Sequence, residues 1–321
     1  MKKLMLVCVP LLAMAFFTAT TPVHAQNLAW VSPNGSNANS CSQTSPCATF
    51  AGAISKGGVA QINCLGSGNY GPLNASTVSI SDSIIIDCGD GNVGEIVSGS
   101  DNGININSSD SNAIIVLRHL SINGGGNVAN GINTQAFAGG TLIVENCQIF
   151  GFASSSGTTG SGIYFAPAGA SGSRGLVQVS DSLLFNNGNN AINVSPGTGV
   201  IASATLNRDE FTANGTGVSL GGAGVVAGSM RESIAAESAA FGVTANASQV
   251  FFTIEESSII DNLSTGIRAN SAGTVINVGA STIGGNGTGV HAIAGSIVSF
   301  GNNQMSANGT NGTFTSTTGL Q

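Results

Sequence analysis

The amino-acid sequence predicts an all-β β-solenoid: a single chain wound as a parallel β-helix, three short strands per coil, with a short N-terminal capping helix. Three observations predict it. One phrase recurs: ESSIIDNLSTGI (256–267) and GASTIGGNGTGV (279–290) each place a small residue two before Ile, an Asn three further on, then Gly and a β-branched residue. The apolar runs are only two to five residues long, β-branched and separated by Gly and Asn, which suits strands and not helices. With 47 Gly and 7% charged residues the chain could pass for disordered, but it is 41% hydrophobic and its aliphatic residues recur at regular spacing.

The first 25 residues read as an export signal. Lys2 and Lys3 precede an apolar run from Leu4 to Phe17, and Val23-His24-Ala25 supplies the small residues before a cleavage site. That run is shorter than the roughly 20 residues a membrane span needs. The sequence therefore divides into a signal peptide (1–25), an N-terminal segment with the capping helix (26–60) and the solenoid (61–321). The expected compartment is outside the cytoplasm: periplasm, cell surface or medium.

The repeat sets the coil. Its small polar position falls at Cys147, Ser182, Asp209, Ser233, Ser257, Ser281 and Asn303, with Leu120 as an earlier, apolar member, and the gaps from Leu120 are 27, 35, 27, 24, 24, 24 and 22 residues. Two residues later come Ile122, Ile149, Leu184, Phe211, Ala235, Ile259, Ile283 and Met305, which should form one inward pile. A period in the twenties signals a solenoid whose strands pair about 4.8 Å apart with those of the next coil. Leucine-rich repeats share the period, but their spaced leucines are missing. Asp209 falls at an inward position, where an unpaired carboxylate is costly, so a local bulge turning it outward is expected.

Five cysteines follow the leader. Cys41 and Cys47 bracket a short loop that a disulfide closes easily in an exported protein. Cys64 and Cys88 alternate inward on what should be adjacent coils, at a separation a disulfide accepts. Cys147 is left as a small buried thiol. At the N-terminal end CATFAGAISKGG (47–58) has apolar Phe50, Ala53 and Ile54 and a Gly pair, as a short capping helix requires. At the other end NGTNGTFTSTTGLQ should drape over the last coil.

The amphipathic segment, then GGVAQINCLGSGNYGP, then coils with Gly-aliphatic phrases resemble the right-handed parallel β-helix superfamily that includes pectate lyases. Within it the chain is most similar to exported bacterial right-handed β-helix repeat proteins, over residues 28–321. The resemblance implies right-handed coils and, by analogy with enzymes of the group, a substrate lying along the outer face of one strand stack. The matching strand begins with Gly-Ile or Gly-Val, and its outward residues are Asn133, Tyr164, Asn193, Ser219, Thr244, Arg268 and His291.

That face has no carboxylate, whereas glycosidases need two. Arg268 and His291 are the sharpest catalytic candidates, because His titrates near neutral pH and Arg holds carboxylates. Arg174, in the insertion 151–175, is a third. The residue motifs of the related pectin hydrolases and calcium lyases are absent. Calcium could find oxygens at Asp87, Asp90, Asn92 and Glu95, although their spacing is ordinary for a turn. Charged residues before each small position, from Arg118-His119 to Glu255-Glu256, should line a solvated turn edge.

The net charge of −7 is a poor fit for nucleic acid. After the leader, no stretch is long and apolar enough to hold the chain in a membrane. The sequence thus favours a non-catalytic surface or glycan-binding module. A polysaccharide lyase, hydrolase or epimerase is the alternative, and a structural spacer the third reading.

Overall fold

The computed structural model describes residues 27–72, 77–89, 91–155 and 157–319; the expected signal peptide and its cleavage site lie outside them. The chain is a parallel β-solenoid of about nine turns. One coil shows the plan. Ile201–Asn207 joins a 12-stranded sheet, Glu210–Thr212 a 10-stranded sheet and Thr216–Leu220 a 9-stranded sheet, and Val225–Arg231 then returns to the first. Every strand pairs in parallel with its counterpart one coil away, as the recurrent phrase requires.

The interior is built from like residues stacked on like. Ile122, Ile149, Leu184, Phe211, Ala235, Ile259, Ile283 and Met305 follow one another in register, and all but Met305 are fully buried. A second pile runs through Ile132, Ile163, Ile192, Val218, Val243, Ile267 and Val290. Ala191 precedes Ile192, but the other six aliphatics each follow a Gly, which is there for lack of room. A Cβ on Gly242 would lie 2.6 Å from Ile259 Cγ2, and one on Gly266 would lie 2.7 Å from the Gly289 carbonyl oxygen.

Both tight corners turn through one residue in the left-handed region. The first uses His119, Asn146, Asp181, Arg208, Glu232, Glu256 and Ala280, with φ between 47° and 57°. This conformation costs an L-residue about 1–2 kcal/mol, and the next coil offsets it. Asp181, Arg208, Glu232 and Glu256 each donate their N–H to a carbonyl one rung on. The side chains at this corner point into solvent and pair along the stack. Arg208 binds both oxygens of Asp181 at 2.7 Å, Arg231 binds Glu256 at 2.8 Å, and Arg118 bridges to Glu145. The Arg208 guanidinium holds the Asp181 carboxyl below its ordinary range. Exposed pairs of this kind stabilise by only about 0–1 kcal/mol.

Beside each corner runs a ladder of side-chain to backbone hydrogen bonds. On the first, Ser182, Ser233 and Ser257 each donate to the carbonyl two residues back and accept the N–H of the preceding rung. Cys147 occupies the same place, its Sγ 3.3 Å from the Glu145 carbonyl, and burial pushes its thiol up to about 12. On the second ladder, Asn214 Oδ1 accepts the Asn187 N–H, and Asn262, Asn286 and Asn308 repeat the pattern. At Ser238 that ladder lapses. Its hydroxyl is too short to reach the Asn214 N–H, and its Oγ is buried without a partner.

Asp209 corrects one expectation. It does not bulge outward; Glu210–Thr212 keeps regular pairing on both sides, and Asp209 is 2% exposed. Its carboxyl substitutes for the serine of the first ladder, Oδ1 accepting the Ser182 N–H and Oδ2 the Asn207 N–H. Two amide donors make the position tolerable, but burial still raises its pKa to about 7.

The ends are closed differently. At the N-terminus Asn27–Val31 pairs with Val59–Cys64, so the 12-stranded sheet begins within the segment expected to precede the solenoid. Helix Phe50–Ile54, capped by the Thr49 hydroxyl accepting from the Gly52 N–H, packs against that strand pair. Disulfides join Cys41 to Cys47 and Cys64 to Cys88, the second tying adjacent coils at a Cα separation of 4.7 Å. At the C-terminus, Ser316–Thr317 pairs with Ser296–Ser299.

Two outcomes follow from the ladders. Ser238→Asn supplies the missing rung and is expected to stabilise by about 1 kcal/mol, read as a higher midpoint in urea or heat. For Asp209 the proton favours the folded state, because the folded pKa lies above the ordinary 3.8. Stability from this group is therefore full at acid pH and is lost as pH rises from about 4 to about 7. Asp209→Ser should flatten that decline and leave the variant the more stable protein at pH 8, as thermal melts across the range will show.

Candidate functional site

The outward residues expected on the 9-stranded sheet form one unbroken file. Asn133, Tyr164, Asn193, Ser219, Thr244, Arg268 and His291 are register partners in that order, with Asn105 ahead of them. At about 4.8 Å per rung, Asn133 and His291 stand roughly 29 Å apart. The regular coils place these side chains, since the Gly-aliphatic phrase fixes which residue of each strand turns outward.

The file is less open than the sequence suggests. His291 is exposed and Asn133, Asn193 and Arg268 are half-buried, but Tyr164, Ser219 and Thr244 are buried. A parallel file three residues earlier runs through Asn190, Thr216, Phe241, Thr265 and Thr288. Phe241 lies under Arg268, whose guanidinium carbon is 4.7 Å from the ring centroid. This pairing holds the long Arg side chain flat against the sheet and fixes its direction. Phe241 is not among the outward residues expected from the sequence, because it stands just before a Gly-aliphatic pair and the expected residues stand just after one.

Three polar atoms of the main file are buried with no hydrogen-bond partner: Asn133 Oδ1, Thr244 Oγ1 and Arg268 Nε. Buried polar atoms in folded proteins are nearly always paired, with protein or with ordered water, so three on one file stand out. They comprise an acceptor, a hydroxyl able to do either, and a donor.

The remaining candidates are scattered. Arg268 and His291 are neighbours across the register, and a hollow of about 390 Å³ lined by Thr288, Val290, Thr310 and Thr315 adjoins His291. Arg174 starts strand Arg174–Ser180 of the 12-stranded sheet and does not join this file. Of the calcium candidates, Asp90 lies outside the described residues. Asp87 is engaged by His119 Nδ1 at 2.8 Å and by the Gly89 N–H, Asn92 donates to the Gly89 carbonyl, and Glu95 sits on Gly94–Val97. Among the described residues no group of three or more His, Cys, Asp or Glu is placed to hold a metal.

Comparison with protein-family models gives no match, and neither does comparison with curated proteins. Two solved structures are similar. One is the pectate lyase Pel9A, at 14% identity over 84% of this chain and 78% of that one, with a TM-score of 0.48. The other is the A-module of the mannuronan C-5 epimerase AlgE4 of Azotobacter vinelandii, at 12% identity over 84% of this chain and 92% of that one, with a TM-score of 0.44.

Proposed function

We propose that the chain is an exported, non-catalytic module that binds a neutral, hydroxyl-rich glycan along the outer file of the 9-stranded sheet. The observation that carries this reading is the register file of polar side chains itself, along which Asn133, Asn193, Arg268 and His291 are half-buried or exposed and none is a carboxylate. A polyhydroxyl chain offers both donors and acceptors, so it can hydrogen-bond to these amide, guanidinium and imidazole groups at intervals along its length. The net charge of −7 weighs against polyanionic polymers by weak repulsion. Two disulfides suit an oxidising compartment, and no described helix is long and apolar enough to cross a membrane.

Native gels cast with neutral or uronate-containing polysaccharides test the reading. The protein is expected to be retarded by one or more neutral polymers, with Asn193→Ala and Arg268→Ala each cutting affinity about threefold to thirtyfold. Free migration in every gel by a folded sample would refute it. Release of unsaturated product or new reducing ends from any of the polymers would replace it with an enzymatic function.

A further inference from the structure

Among the described residues, the solenoid's last rung is incomplete on one side. Beyond the final full coil, Gly289 and Val290 donate to the Thr310 and Asn311 carbonyls, and Ser316–Thr317 extends the 12-stranded sheet. The 10-stranded sheet instead ends at Gln304–Ser306, and no described residue forms a strand on its free edge. Gln304 donates its N–H back to the Ser281 carbonyl. Alternation along a parallel strand then turns the N–H and C=O of Met305 away from the solenoid. Met305, half-buried, is also the last member of the pile that runs through Ile259 and Ile283.

Both corner ladders stop at the same edge. Ser281 finds Asn303 Oδ1 for its N–H, and Asn286 finds Asn308 Oδ1. The N–H groups of Asn303 and Asn308 have no corresponding oxygen ahead of them among the described residues. The absent strand is therefore specified by chemistry: an oxygen-bearing side chain, an aliphatic residue two positions later and a second oxygen-bearing side chain three beyond that. Ser281, Ile283 and Asn286 have that spacing, as do Asn303, Met305 and Asn308. It should also be uncharged. No Asp, Glu, Lys or Arg follows Arg268, although exposed strand edges are ordinarily guarded by charge or proline.

The geometry points to this edge as a binding site for an extended, uncharged peptide strand of that spacing, added in parallel as the next strand of the 10-stranded sheet. Main-chain hydrogen bonds to Met305 supply general affinity, and the Asn303 and Asn308 amides with the Met305 side chain supply selectivity. The site is separate from the glycan file, so either can fail without the other.

A labelled peptide with the sequence of residues 279–290, titrated into the full chain, tests it. Saturable binding with a Kd between about micromolar and millimolar is expected, with slowed hydrogen exchange at the Met305 and Asn308 amides. Changing the peptide at the position of Asn286 to Ala, or of Ile283 to Asp, should weaken binding roughly tenfold or more. The protein itself is unaltered in these comparisons, so misfolding cannot produce the result. No saturation at roughly millimolar peptide, equal binding of a scrambled peptide, or protection at another edge would overturn the proposal. A dimer that protects Met305 and excludes the peptide would overturn it also, by giving the edge to a second copy.

Discussion

The structure depends on each rung finding its hydrogen bonds and its apolar neighbours in the rung beyond. A coil of two dozen residues cannot enclose a core of its own; its inward aliphatics are covered only when Ile149 meets Leu184 and Ile259 meets Ile283. Stability therefore accumulates along the axis as a series of nearest-neighbour contacts. The cross-section carries little redundancy, and a residue that breaks the pattern affects its own rung and the two beside it. The Cys64–Cys88 bond reinforces that contact near one end, where there are few neighbours on the outer side to share the load.

The corners show how this constraint selects residues that packing alone would not. A tight turn between sheets requires a left-handed residue, and glycine would serve at every one of them. The chain instead puts Asp181, Arg208, Glu232 and Glu256 there. Each N–H is taken by a carbonyl of the next rung, and each side chain faces solvent, where opposite charges align along the stack. The backbone strain is thus tied to a surface that is well solvated and hard to mispair. Asp209, next to Arg208 in sequence but buried, shows the converse. It inherits the hydrogen-bonding task of a serine but brings a charge to a dry place.

Much of this was legible beforehand because the repeat phrase is itself a register. The small residue, the aliphatic two later and the Gly-aliphatic pair mark the ladder, the inner pile and the start of the outer file, so the order Asn133 to His291 could be read without coordinates. What escaped was energetic. A sequence shows that Asp209 lies inward; it does not show that two amide N–H groups wait there, so a bulge looked the cheaper solution. Likewise Arg174 looked free to reach a substrate from its insertion, but it is the first residue of a strand in a different sheet from the outer file, and its backbone pairing with Ile201 fixes it there. The partner of Arg268 was hidden for a related reason: Phe241 lies in the preceding coil, brought under Arg268 only by the 24-residue stagger.

The lateral face and the terminal edge differ in what they can recognise. Along the face, main-chain groups are already paired to neighbouring strands, so recognition falls to side chains that vary from rung to rung: Asn, Tyr, Ser, Thr, Arg, His. A flexible polymer with many equivalent hydroxyls tolerates that irregularity, because it can shift along the file until donors and acceptors match. At the edge the recognising groups are the backbone of Gln304–Ser306 and the amides of two ladders, whose positions are set by coil geometry. Such an edge accepts only a chain with the solenoid's own spacing. The long charge-free stretch after Arg268 keeps it free of the repulsion that the acidic middle of the molecule would impose on a second strand. The two proposals therefore rest on different features, irregular side chains on the flank and regular backbone at the tip, and neither depends on the other.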